Sequence, residues 1–324
     1  MDFFEFASKK RFEITEKDLD CVEEKIQIYK KYNFKMLNID DVFEKIDENL
    51  KKKITDKRFG LLCGGGIDSN YLLAKSLSWG IEPIVISAAT KGNESELKLL
   101  SDFCIDMKIE HHVLDIDISK IENKSNMIKK ELGRYPNDQA APLVRMLVER
   151  AQKENCEIVI DGQFADTLLF ANPQNFLFKK THRFTSTLLK YDNRPSEIGV
   201  KIVKIIKYLT YNKIDKILFL SRLYFFDDNV YRRMSNIINY INPELLLQLL
   251  FWHVLMTKRE RDKYINLPLE VFSPFDDETL LFEVMKLVEN DSILRGKYNK
   301  HSMNKFSSLY DKRLCGKSAS FEAY

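Results

Sequence analysis

One segment constrains this chain more than any other: Arg58-Phe-Gly-Leu-Leu-Cys-Gly-Gly-Gly-Ile-Asp-Ser-Asn70. A short apolar run, Phe59–Cys63, enters three consecutive glycines. An Asp-Ser pair follows, then an amphipathic stretch to Ser78. The pattern predicts a buried strand, a tight turn and a helix. Gly64, Gly65 and Gly66 carry no Cβ, so the turn can tighten until its N–H groups converge on one point. The helix that follows aims its positive end at the same point. Such a turn is an anion cradle, and Asp68 sits where a carboxylate can hold the cation that accompanies a polyphosphate.

The surroundings predict an α/β fold. Residues 1–57 read as charged helices, with apolar residues at helical spacing over Glu16–Tyr32 and Ile39–Lys53. Strands are then expected at Phe59–Cys63, Pro83–Ala88, Glu110–Ile116 and Glu157–Ile160. Helices are expected at Ser69–Ser78, Glu94–Met107 and Pro142–Lys153. Apolar strands alternating with helices form a parallel sheet covered on both faces. Ligands of such sheets bind outside the carboxyl ends of the strands. Three parts are expected: a helical segment 1–57, a nucleotide-binding α/β core 58–172, and a mainly helical region 173–324.

Composition excludes more than it assigns. Over 324 residues the chain is 44% apolar and 31% charged, ordinary for a globular protein, and its net charge of +3 gives no nucleic-acid signal. The five cysteines show no Cys-x-x-Cys, which argues against a zinc site or a disulfide framework. Cys63 abuts the loop at a strand end, where packing is the expected role of its thiol. No signal peptide or transmembrane run is read, so a cytoplasmic location is expected. In Glu197–Thr210, Lys201, Lys204 and Lys207 lie opposite an apolar stripe. That is a solvated helix face, or a docking face for an acidic carrier, nucleic acid or membrane.

A second strand end, Glu157-Ile-Val-Ile-Asp-Gly-Gln-Phe-Ala-Asp166, carries another acidic residue. Read alone, Asp166 is a helix cap. If its strand neighbours Phe59–Cys63, then Asp68 and Asp166 face one another across a bound polyphosphate and hold Mg2+. The glycine loop lacks the lysine of a Walker loop and the Gly-x-Gly-x-x-Gly of a dinucleotide site.

The loop instead resembles the pyrophosphate loop (PP-loop) of the ATP pyrophosphatases, Ser-Gly-Gly-x-Asp-Ser, with Gly64 at the serine position. Later segments resemble the synthetase domain of asparagine synthetases and their relatives, β-lactam synthetase and the lasso-peptide cyclases. These segments are Asn93-Glu-Ser-Glu with Glu110-His-His-Val, Gly162-Gln-Phe-Ala-Asp-Thr167, Pro274-Phe-Asp-Asp277 and Arg313-Leu-Cys-Gly-Lys-Ser-Ala-Ser-Phe321. The resemblance spans residues 59–321. It implies an ATP-dependent, AMP-forming ligase that activates a carboxylate as an acyl-adenylate and couples it to ammonia or an amine.

By that resemblance Leu62, Cys63, Gly64, Gly65, Gly66, Asp68, Ser69, Ile86 and Gly162 form the ATP site. Asp68 and Asp166 hold the metal. Lys317 is the candidate catalytic cation, with Arg313 and Lys300 as neighbours to test, and Gln163 is the third catalytic candidate. The substrate would be a small-molecule or peptide carboxylate, its pocket walled by Phe176–Trp252.

Departures from the pattern limit the reading. Gln163 and Thr167 replace two glutamates, and glutamine cannot act as a base. Phe272 replaces an arginine. Residue 2 is Asp rather than a nucleophilic cysteine, so no glutaminase is expected. Ammonia would be free, or come from a partner amidotransferase or carrier. Two other readings stay open: a PP-loop enzyme modifying RNA or a deazapurine, and an ATP-binding partner subunit without catalysis.

Overall fold

The computed structural model describes residues 12–90, 92–171, 223–224, 227–290 and 297–316. The described residues divide into two compact units, one within 34–169 and 259–316, the other within 12–33 and 170–258. The expected basic helix over Glu197–Thr210 and most of Phe176–Trp252 lie outside the described residues, as does Lys317. Among the described residues, no helix is long and apolar enough to cross a membrane.

The first unit holds the sheet. Helix α1 (Ile39–Ile54) starts where Asn38 accepts from the N–H groups of Asp40 and Asp41, and Asp41 accepts in return from the Asn38 N–H. Such a reciprocal cap satisfies donors that a helix end otherwise leaves open. α1 buries Val42, Phe43, Ile46, Leu50 and Ile54, spaced along one face.

Strand β1 (Phe59–Leu62) and helix α2 (Ile67–Ser78) flank the glycines. Then come β2 (Ile84–Ala89), α3 (Glu94–Met107), β3 (His111–Asp115), α4 (Ile118–Leu132), α5 (Ala141–Lys153), β4 (Ile158–Ile160) and the short α6 (Ala165–Leu168). After the second unit's residues the chain adds β5 (Glu270–Phe272), α7 (Glu278–Asn290) and α8 (Lys297–Tyr310).

The five strands lie in the order β3-β2-β1-β4-β5, all parallel. This is the α/β class that the alternation predicts, a parallel sheet flanked by helices, with helical additions outside it. The central strands are buried along most of their length: Leu61, Val85, Ile86, Val159 and Ile160 have no exposed surface. Each such side chain contributes roughly 1.5–3 kcal/mol of burial. Gly60 admits α5 to the sheet, since a Cβ there would lie 3.2 Å from the Ala151 Cβ.

Neither α4 nor β5 is among the elements expected from the sequence. α4 is capped by Asp117, which accepts from the Lys120 N–H at 2.8 Å, and it ends at Gly133 with φ +71°. Its dense charge hides a narrow stripe of Ile121 and Ile128. β5 is three residues long and exists through pairing with β4, far away in sequence.

The second unit packs the helix Glu16–Lys31 with Asp228–Ile237 and Pro243–Leu250, the latter running into a π-helical stretch, Phe251–Met256. Glu16–Lys31 buries Leu19, Val22, Ile26 and Tyr29. Arg233 reaches Asp20 at 2.9 Å and Glu23 at 2.7 Å across this packing.

Candidate active site

The direction of chain progression reverses between β1 and β4: β1 to β3 run to one side, β4 and β5 to the other. The crevice at such a reversal is where open α/β sheets bind ligands. Both predicted loops, Gly64–Gly66 and Gly162–Asp166, leave their strands there.

The first loop is shaped by one glycine above all. Gly65 has φ +81°, and a Cβ on it would lie 2.9 Å from the Glu96 carbonyl oxygen. Gly64 is different, because a Cβ there meets no heavy atom within 4 Å among the described residues. Gly66 precedes α2, and no side chain caps that helix's first turn among the described residues. No cap side chain therefore competes with an anion for the first-turn N–H groups and the helix dipole.

Asn70 braces the loop from beneath. It is buried, and its Nδ2 donates to the carbonyls of Gly65 and Leu314, both at 3.0 Å. Its Oδ1 accepts from the Cys63 thiol at 3.4 Å. Burial pushes the Cys63 pKa up, which keeps it a thiol. The Cys63 carbonyl accepts from Ser87 Oγ, and the Ser87 oxygen lies 2.8 Å from His111 Nε2. With the Ser87 proton given to Cys63, His111 must be the donor to Ser87. Burial, helped by the neighbouring His112, lowers the His111 pKa to about 4, so the ring is neutral near pH 7.

The second loop touches the first. A Cβ on Gly162 would lie 2.9 Å from the Asp68 Cβ, so only glycine permits the approach. Phe164 takes φ +70° at the start of α6, and Asp166 lies in that helix's first turn. One ammonium joins the two acidic residues: Lys300 Nζ, from α8, lies 2.8 Å from Asp68 Oδ2 and 2.5 Å from Asp166 Oδ1.

The charges of this trio are strongly interdependent. Burial raises the Asp68 carboxyl pKa to about 6, with the charge of Lys300 pulling it back and that of Asp166 adding to it. Burial disfavours the Lys300 ammonium, but the two carboxylates outweigh this and raise its pKa. The arrangement places one ammonium between two carboxyl groups. Asp68 Oδ1 is buried and has no hydrogen-bond partner among the described residues. Oxygen donors from two loops, one of them unpartnered, suit a hard divalent cation such as Mg2+.

Other predicted residues fall around this centre. Leu62 is half-buried at the end of β1 and Ile86 fully buried in β2, where the Ile86 carbonyl accepts from the Cys63 N–H at 3.0 Å. Ser69 Oγ donates to the Gly66 carbonyl at 3.3 Å. Gln163 follows the β4 end, with its Oε1 accepting from the buried Lys263 at 3.1 Å. Lys263 also faces the buried Asp138 at 3.5 Å, and Tyr264 donates to Asp161 at 2.8 Å. Sequence reading missed Asn70, Lys263 and Asp138. Asn70 had a signal, being next to the Asp-Ser pair, whereas the other two sit far from any motif.

Arg313 is engaged elsewhere. Its guanidinium meets Asp311 at 2.8 Å and Asp106 at 2.5 Å and lies over the Phe103 ring. It docks the Lys312–Leu314 turn onto α3. That turn leads to Gly316, where a Cβ would lie 2.6 Å from the Ile67 nitrogen and 2.9 Å from the Gly65 carbonyl oxygen. The chain thus crosses the start of α2 one residue before Lys317. In the Pro274–Asp277 segment, Phe275 is buried and Asp277 caps α7 by accepting from Thr279 N and Leu280 N.

Glu110, His112 and Glu154 also cluster. Arg150 donates to His112 Nδ1 at 2.7 Å, so the ring proton sits on Nε2, facing Glu110 at 2.9 Å. Arg150 further pairs with Glu154 at 2.7 Å, making this an ion-pair network.

No protein-family model matches the chain, and no curated protein matches it. Among solved structures, it is similar to an NH3-dependent NAD synthetase from Campylobacter jejuni subsp. jejuni NCTC 11168, in complex with the nitrate ion. The match is 16% identical with a TM-score of 0.30, covering 70% of this chain and 96% of that one.

Proposed function

We propose that this chain is an ATP-dependent, AMP-forming carbon–nitrogen ligase of the PP-loop type. The observation that carries the reading is the meeting, at the sheet's reversal point, of an uncapped helix start behind Gly64–Gly66 with two carboxylates, Asp68 and Asp166. Open N–H groups favour a polyphosphate, and paired carboxylates favour the cation that travels with it.

In the reaction a substrate carboxylate oxygen forms a bond to the α phosphorus of ATP. The bond from that phosphorus to the bridging oxygen breaks, and pyrophosphate leaves. The nitrogen of ammonia or an amine then attacks the acyl carbon, the bond to AMP breaks, and the nitrogen loses a proton to solvent. The first-turn N–H groups of α2 and the loop N–H groups bind the departing pyrophosphate. Asp68 and Asp166 would hold Mg2+, which neutralises phosphate charge when bound. Lys317 is the candidate cation for charge developing at the α phosphate. It lies outside the described residues, and its support is sequence resemblance and the position of Gly316 against the start of α2. Gln163, held by Lys263, serves as a hydrogen-bonding group rather than a base.

The asparagine-synthetase-like assignment belongs to this proposal and rests on the later motifs. A second reading, an ATP-holding partner subunit without turnover, is favoured by the occupation of both carboxylates by Lys300. Magnesium-dependent pyrophosphate release, measured against a broad carboxylate panel, separates the two. The expected result is release with at least one carboxylate, lost by roughly a hundredfold or more in Asp68→Asn and Asp166→Asn. Full release in either variant overturns the metal assignment. ATP binding without release from any carboxylate favours the partner subunit.

A further inference from the structure

We propose that Lys300 is a resident counter-ion that competes with divalent metal for Asp68 and Asp166, so that metal enters with the nucleotide rather than ahead of it. This rests on the reading above that the two carboxylates hold the metal.

The geometry carries it. A single ammonium bonds to one oxygen of each carboxylate, and its residue, Lys300, is 7% exposed. It lies where a shared divalent ion would lie. A metal and the ammonium cannot both stand between the carboxylates without strong like-charge repulsion. A free divalent ion must therefore displace Lys300 while no phosphate is present to receive the ammonium. When polyphosphate arrives on the loop, the ammonium can turn to phosphate oxygens as the metal takes the carboxylates. The four-carbon stem permits that turn, while α8 stays packed along α2 through contacts such as Tyr71 with Phe306. Asp68 Oδ1 is buried and has no hydrogen-bond partner among the described residues, so it can ligate a cation once Lys300 has moved aside.

The test uses Mn2+ alone, with the free ion counted by electron paramagnetic resonance. Full-length wild type, Lys300→Met and Lys300→Arg are compared with and without a non-hydrolysable ATP analogue. Without nucleotide, Lys300→Met is expected to bind Mn2+ about tenfold tighter than wild type, while Lys300→Arg, which keeps the charge, stays at the wild-type value. The analogue should raise wild-type affinity by a similar factor. Near-UV circular dichroism establishes that each variant is folded.

Equal nucleotide-free affinities in all three proteins overturn the inference. So does Lys300→Arg binding as tightly as Lys300→Met. If Lys300→Met does not fold, the wild type decides: Mn2+ affinity unchanged by the analogue overturns the inference. If the wild type binds no Mn2+ even with the analogue and releases no pyrophosphate, the metal reading falls and this inference with it. Mn2+ binding with the analogue, alongside flat nucleotide-free affinities, removes this inference alone.

Discussion

At the scale of single residues, the three glycines of the loop are not equivalent. Gly65 is the one whose backbone and neighbours both demand glycine, with φ +81° and the α3 backbone where a Cβ would go. Gly65→Ala is expected to cost about 1–3 kcal/mol, read from the shift in urea midpoint. Gly64 is free of both constraints. Gly64→Ser, which restores the hydroxyl of the resembled motif, should leave stability unchanged or raise it by roughly 0.4–1 kcal/mol, since a side chain restricts the unfolded chain. A loss above about 1 kcal/mol would show that the open space is taken up. The need for glycine at this turn was legible in the sequence. Which glycine bears it was not, because the obstacle is Glu96, a residue of another element.

At the scale of elements, Asn70 links the loop to the C-terminal turn. It is buried and donates to both Gly65 and Leu314. Asn70→Ala leaves those carbonyls without that donor and should cost about 2 kcal/mol. Amide exchange over residues 312–316 should quicken, followed by mass spectrometry. Unchanged exchange there would mean that Arg313, gripping Asp106 and Asp311, holds the turn alone. The helices with strong caps or clean stripes were legible, such as Ile39–Ile54 behind Asn38. α4 was not, because its charge conceals Ile121 and Ile128. β5 was not, because a three-residue strand owes its existence to β4.

At the scale of the whole molecule, buried charge links stability to pH. Burial raises the Glu244 pKa to about 7 from an ordinary value of 4.5. The folded state therefore keeps a proton that the unfolded chain releases between these values. The group's contribution is full below the unfolded pKa and is lost as pH rises through the folded one. Glu244→Gln should flatten this decline and stabilise the protein at pH 8 by up to about 3 kcal/mol. Denaturant midpoints at pH 5 and pH 8 provide the check, and an identical slope in the variant would exclude Glu244 as the source.

On the same scale, the sequence by itself determined the α/β class, the glycine turn between strand and helix, and the candidate acids Asp68 and Asp166. These depend on local periodicity and on the glycine run, which any stretch of chain carries in itself. Only the tertiary structure decided that β4 lies beside β1, that Gly162 lets the two loops touch, and that Lys300 joins both carboxylates. Asp68, Asp166 and Lys300 are far apart along the chain. Their meeting is set by strand order and helix packing, to which no local pattern gives access.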